Sequence, residues 1–152
     1  MENPTNNDSY AEAKRKAKEF YKTIGHVFCP ALDDGIAFNS IGFRHLMQKQ
    51  GNFRIKEEQV KRFSLLLLAK EILENPKADV KHEKRKIIYR TDWRGKKVIK
   101  KSFVDYWIFT ARWDNKIIRL VARRFGSGKK HFLTIYEKIP HKRDLFACPP
   151  SA

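Results

Sequence analysis

The chemistry that the sequence alone can place lies in two segments near its end. Lys116–Phe125 and His131–Ile139 each read as a β-strand, rich in branched and aromatic residues. Side chains alternate across a strand. The simplest alternation turns Ile118, Leu120, Leu133 and Ile135 toward a core. It leaves Arg119, Arg123, Thr134 and Tyr136 together on the open face. Guanidinium groups pair with phosphate oxygens, and aromatic rings stack on unpaired bases. Such a face suits a nucleic-acid strand. The plain structural alternative is an exposed face kept soluble by its charge. Arg124 points opposite to Arg123 unless the strand bulges.

The charge balance favours the first reading. The chain has 33 Lys+Arg against 17 Asp+Glu, a net charge of +16 over 152 residues. Residues 1–80 hold 13 basic and 11 acidic side chains, and residues 81–152 hold 20 and 6. The excess therefore falls in the half that reads as strands. Solubility alone needs a net charge of about 2–8 in a small domain. A polyanion that releases counterions on binding accounts for more.

Other chemistries find little support. Two-metal hydrolysis needs clustered carboxylates, and the acids of the basic half are scattered. Asp33-Asp34 reads as part of a turn. Cys29 and Cys148 have no zinc-type spacing and read as reduced thiols. Gly126-Ser127-Gly128-Lys129 lies in a hairpin and lacks the context of a phosphate-binding loop. No cofactor and no metal is expected. The longest apolar run, Leu65–Ala69, is too short for a bilayer. No helix combines a basic face with large apolar anchors, so no membrane partner is expected. The polar N-terminus reads as no secretory signal, which predicts a cytoplasmic protein.

The elements that must position these groups form one α+β domain. Residues 1–8 read as a disordered lead-in, 9–140 as the domain, and 141–152 as an irregular tail. Ser9-x-x-Glu12 is a capping box for a first helix that Gly25 ends. Two short extended pieces flank Asp33-Asp34-Gly35. A second helix carries Ile41, Phe43, His45, Leu46 and Met47, and Gln50-Gly51-Asn52 ends it. The strongest helix runs from Lys56 to Glu74, stopped by Asn75-Pro76. Then come strands at Ile87–Tyr89, Val98–Trp113, Lys116–Phe125 and His131–Ile139. Short turns join them, which predicts two to three N-terminal helices packed on a four-stranded antiparallel meander. Tyr89 is expected in the core, and His26, His82 and His141 have no evident partners.

This order of elements resembles the barnase–EndoU–colicin–RelE superfamily of small ribonucleases. Two segments sharpen the resemblance. CPALDDGIAFNSIGFRHLMQKQ (29–50) resembles the strand–turn–strand–helix opening of a phage-associated branch, whose helix carries a histidine. IIRLVARRFGSGKKHFLTIYE (117–137) resembles its paired closing strands. The resemblance covers about residues 27–139 and implies a metal-independent endoribonuclease. It points to His45, Arg123 and Thr134 as catalytic, with Thr134 standing where that branch commonly has serine. It also suggests that Arg62 faces the site. The short basic loop Gly126–Lys130, with Lys129 and Lys130, suits a phosphate contact.

Such cleavage needs a base for the 2′-OH, an acid for the 5′-oxygen, and donors for the charged phosphorane. His45 or His131 can move the protons. Arg123, Arg124 and Lys130 can hold charge, and Thr134 and Tyr136 can position the phosphate or a base. For each residue there is a plainer role: a structural His45, a solvated His131 at a strand end, a Thr134 chosen as a strand former. The expected substrate is RNA, with tRNA and rRNA as candidate targets. A toxin or phage-derived effector of this kind would need an acidic neutralising protein in its host. The competing reading is a non-catalytic RNA- or DNA-binding module that uses the same basic face. A third is a structural protein with a lysine-rich surface.

Overall fold

A computed structural model describes residues 6–139. Residues 1–5 of the expected lead-in and the expected tail, with His141 and Cys148, lie outside them. Helix α1 (Asn6–Ile24) starts three residues before the capping box predicts. Strands β1 (His26–Cys29) and β2 (Asp34–Ala37) form a hairpin, followed by α2 (Ser40–Met47). A two-residue hairpin, β3 (Gln48–Lys49) and β4 (Asn52–Phe53), stands where only a helix stop was expected. The long helix is interrupted: α3 (Lys56–Leu65) passes through a 3₁₀ turn (Leu66–Leu68) into α4 (Ala69–Glu74). Strands β5 (Asp79–Trp93), β6 (Lys96–Trp113), β7 (Lys116–Phe125) and β8 (His131–Lys138) follow.

The fold is α+β, with a large antiparallel-rich sheet in its second half. The meander β5–β8 is present, but among the described residues the sheet has six strands in the order β1-β2-β8-β7-β6-β5. The β1–β2 hairpin joins by one parallel register pair, Ala37 with His131. Strand β5 is far longer than the Ile87–Tyr89 piece that its sequence announces, and Tyr89 is exposed rather than core.

Two of the turns between the predicted strands form for a physical reason. Asp114 and Asn115 both have positive φ, and so do Arg94 and Gly95. That conformation matches the right-handed twist of the strands a two-residue turn joins.

Helices α1–α4 cover one face of the sheet. Trp107, Phe109, Ile118, Leu120, Ala122, Phe132 and Ile135 meet Tyr21, Phe43, Leu46, Phe63, Leu66 and Leu73 there. Phe132 stacks on Phe38 with ring centroids 4.6 Å apart. Helix α2 comes unusually close to the sheet. A Cβ on Gly42 would lie 2.5 Å from both the Phe132 carbonyl oxygen and the Tyr21 hydroxyl. Beyond the Ala37–His131 pair, β2 leaves β8, and α2 and α3 pack against β8 there.

Candidate functional site

The expected open-face set needs one correction, and it comes from a β-bulge. Val121 pairs with Thr134, but Ala122 pairs with Phe132 and Arg123 with His131. Leu133 is the extra residue. An extra residue reverses the alternation on either side of it. Phe132 therefore turns to the helices and into the core, and Leu133 stands outside the main core cluster. His131 turns to the opposite face, beside Arg123. Arg123 Nε donates to His131 Nε2 at 3.2 Å. The Arg123 guanidinium lies 4.5 Å from the Phe125 ring centroid, and that ring stacks on His131 at 6.0 Å.

Helix α3 adds Arg62. It packs beside β8, so a side chain of sufficient length reaches around onto this face. Arg62 Nη1 donates to Thr134 Oγ1 at 2.8 Å, and its Nε donates to Glu58 Oε1 at 3.0 Å. Its guanidinium sits 5.4 Å from the Tyr136 ring centroid. Glu58 and Arg62 are four residues apart, a spacing that puts them side by side on a helix. Arg119 shares the sheet face, opposite Tyr136, and its buried Nε has no hydrogen-bond partner among the described residues.

Helix α2 adds His45, one turn after Gly42. Its backbone is fastened from below. Arg54 Nε donates to the His45 carbonyl at 3.2 Å, and the Arg54 amide to the Met47 carbonyl at 2.8 Å. Buried Gln59 donates to the Arg54 carbonyl and accepts from the Tyr10 hydroxyl. This chain of bonds ties α1, α3 and the end of α2 together. Sequence reasoning missed Arg54, Gln59 and Gly42, because each works through a partner far along the chain. A small cavity of about 270 Å³ opens at Arg44, His45, Gln48, Gln50 and Gly51.

The electrostatics of the cluster are one-sided. Burial pushes the His45 imidazole below its ordinary value, and the Arg123, Arg54, Arg44 and Arg62 guanidiniums push it further. Burial lowers His131 as well, then Arg123, with a smaller contribution from His45; a hydrogen bond to the Lys129 backbone opposes them. Both rings are thus biased toward the neutral form, which can accept a proton. The guanidiniums that cause this bias are the groups a phosphate would neutralise.

The other expected site residues lie elsewhere. Arg124 is on the helix-covered face and pairs with Asp105 at 3.1 Å, its guanidinium over the Trp107 ring. His82, expected to lack a partner, bonds the same Asp105 at 2.8 Å and stacks on Trp107. Lys130 is paired with Asp34 and also lies over Trp107. Lys129 is exposed in the turn. His45, Arg62, Arg123, His131 and Thr134 converge; Arg124 and Lys130 do not join them. Among the described residues, no three His, Cys, Asp or Glu side chains group to hold a metal. No described helix is long and apolar enough to cross a membrane. No protein-family model matches the chain, and neither a curated protein nor a solved structure matches it significantly.

Proposed function

We propose that the chain is an endoribonuclease that cleaves RNA by transphosphorylation without a metal. The observation that carries this reading is the meeting of His131, Arg123, Thr134 and Arg62 on one sheet face, with the His45 imidazole of α2 near enough to be acted on by the same guanidiniums. The resemblance of segments 29–50 and 117–137 to the barnase–EndoU–colicin–RelE superfamily supports it.

In this reaction one neutral imidazole takes the 2′-OH proton. The 2′-oxygen attacks the adjacent phosphorus, and the bond from phosphorus to the 5′-oxygen breaks. The other ring, protonated, gives its proton to that leaving oxygen. The products are a 2′,3′-cyclic phosphate and a free 5′-hydroxyl. Arg123 and Arg62 face the phosphate oxygens and stabilise the charge that develops on them. In the resting site Arg123 occupies the Nε2 lone pair of His131. A bound phosphate competes for that guanidinium and frees the ring. It also offsets the positive field, which raises both imidazoles toward the pH where one can hold a proton. Thr134, held by Arg62, presents its hydroxyl to the same phosphate.

The non-catalytic binding module keeps one argument in its favour, the breadth of the basic surface beyond the site. Cleavage of total tRNA and rRNA in EDTA decides between them. Activity that persists in EDTA and is lost in both His45→Ala and Arg123→Ala supports the enzyme. Salt-sensitive binding without cleavage, unchanged by His45→Ala, leaves the binding module. An acidic neutralising protein, if the chain acts as a toxin, would cover the same basic cluster.

A further inference from the structure

Strand β7 ends at Phe125, which pairs with Val104 of β6. Past that point, among the described residues, β6 pairs with β5 alone, from Phe103 with Lys86 to Lys96 with Trp93. Eight register pairs at about 3.4 Å each make a two-stranded ribbon that projects roughly 27 Å from the body. Residues 86–103 hold seven Lys or Arg and one acid, Asp92. A net +6 of the chain's +16 sits on these 18 residues. A two-stranded ribbon is marginally stable in water, and self-repulsion works against it. A purely structural hairpin gains nothing from this composition.

The side of the ribbon continuous with the site is ordered. Arg123 pairs in register with Tyr106, and Tyr106 with Glu83, so the three share a face. The Arg85 guanidinium, bonded to Glu83, lies 4.9 Å from the Tyr106 ring centroid. Further out on that face Tyr89 stands opposite Lys100, and Trp93 opposite Lys96. Trp93 is 60% exposed and Tyr89 44%. Arg85, Tyr89 and Trp93 thus recur every four residues, about 14 Å apart. A cation beside an aromatic at each step is the arrangement that holds single strands, with bases stacked on rings and phosphates on the charges.

We propose that this ribbon is a substrate arm for single-stranded RNA that runs from the scissile phosphate to the ribbon tip. The inference rests on the ribonuclease reading for the identity of that phosphate. At about 3.4 Å per stacked nucleotide, the arm contacts roughly eight nucleotides on one side of the cleaved bond. It makes the substrate an extended strand rather than a dinucleotide.

The test is binding of a 12-nucleotide 2′-O-methyl RNA, which has no 2′-OH to react, followed by fluorescence anisotropy over a salt series. Trp93→Ala and Tyr89→Ala should each weaken binding by roughly five- to a hundredfold, and Trp93→Phe should retain most of it. Lys96→Gln with Lys100→Gln should lower the salt slope by about 1.4. The matched pair Lys97→Gln with Lys101→Gln, on the other face of the ribbon, should lower it less. Equal losses from the two faces, an unaffected Trp93→Ala, or tighter binding of the same sequence as a duplex would each overturn the arm. The probe cannot be cut, so the two readings fail separately. Ribbon-dependent binding by a chain that never cleaves natural RNA would retain the arm and reject the enzyme.

Discussion

Substituting Gly42 with alanine tests whether His45 works from the position that α2 gives it. The added Cβ would lie 2.5 Å from the Phe132 carbonyl oxygen and the Tyr21 hydroxyl, and 2.7 Å from the Phe132 ring. Ordinary contact begins near 3.4 Å, so the helix must retreat by roughly 0.9 Å. The Tyr21 hydroxyl can yield only by loosening its bond to the Asn39 carbonyl, and the Phe132 carbonyl belongs to the sheet. Overpacking of this size costs about 1–3 kcal/mol of stability. His45 lies three residues along the same short helix and moves with it. A misplacement near 1 Å can cost about a hundredfold in rate. The expected result is a folded protein with lowered Tm and kcat/KM on RNA reduced roughly a hundredfold. Combining Gly42→Ala with His45→Ala should add little to the loss from His45→Ala alone. A variant with lowered Tm and unchanged kcat/KM would refute the reasoning, because His45 would then not depend on the seating of α2.

Three further predictions follow from the charges. Arg123→Gln should raise the titration points of both His45 and His131, since a positive neighbour is removed, and NMR titration of the imidazole C–H signals reads this directly; unmoved signals would separate Arg123 from both rings. The lowered imidazoles also bind protons less readily when folded than unfolded, so their contribution to stability should be intact above about pH 6.5 and fade as pH falls below it. Asp105→Asn should lower Tm, because buried Asp105 holds both His82 and Arg124. It should leave kcat/KM per folded molecule unchanged, because that cluster lies on the other face of the sheet; a large kinetic loss would bring Arg124 back into the site.

The parts of this molecule that were legible in the sequence are those with a simple period or a turn signal. Ile118, Leu120 and Ile135 alternate as core strands should, and the open-face position of Arg119, Arg123, Thr134 and Tyr136 follows from the same period. His131 and Phe132 did not follow it, because alternation assumes equal counts on paired strands and Leu133 breaks that equality. Strand β5 was nearly invisible for a different reason. Much of its ribbon is solvated on both faces, so Lys84–Lys86 and Arg90–Asp92 carry no hydrophobic alternation to read. Asp105 could not be matched to His82 and Arg124 from spacing, because its partners lie 23 and 19 residues away and meet it only through strand register. The long leucine-rich helix showed its extent, but its four consecutive leucines gave no sign of the 3₁₀ turn that buries Leu66 and leaves Leu67 outside.

The bulge at Leu133 works like a reading frame written into a strand. On its C-terminal side the even-numbered residues, Thr134 and Tyr136, address the site; on its N-terminal side the odd-numbered His131 does. Exchanging Leu133 for another apolar residue changes only local packing. Pairing it in regular register against Ala122 would instead re-address every residue before it, sending the His131 imidazole toward the helices and the Phe132 ring onto the open face. The facing of His131 therefore depends on Leu133 staying out of register with β7, and the least chemically interesting residue of the strand decides which of its neighbours can take part in chemistry at all.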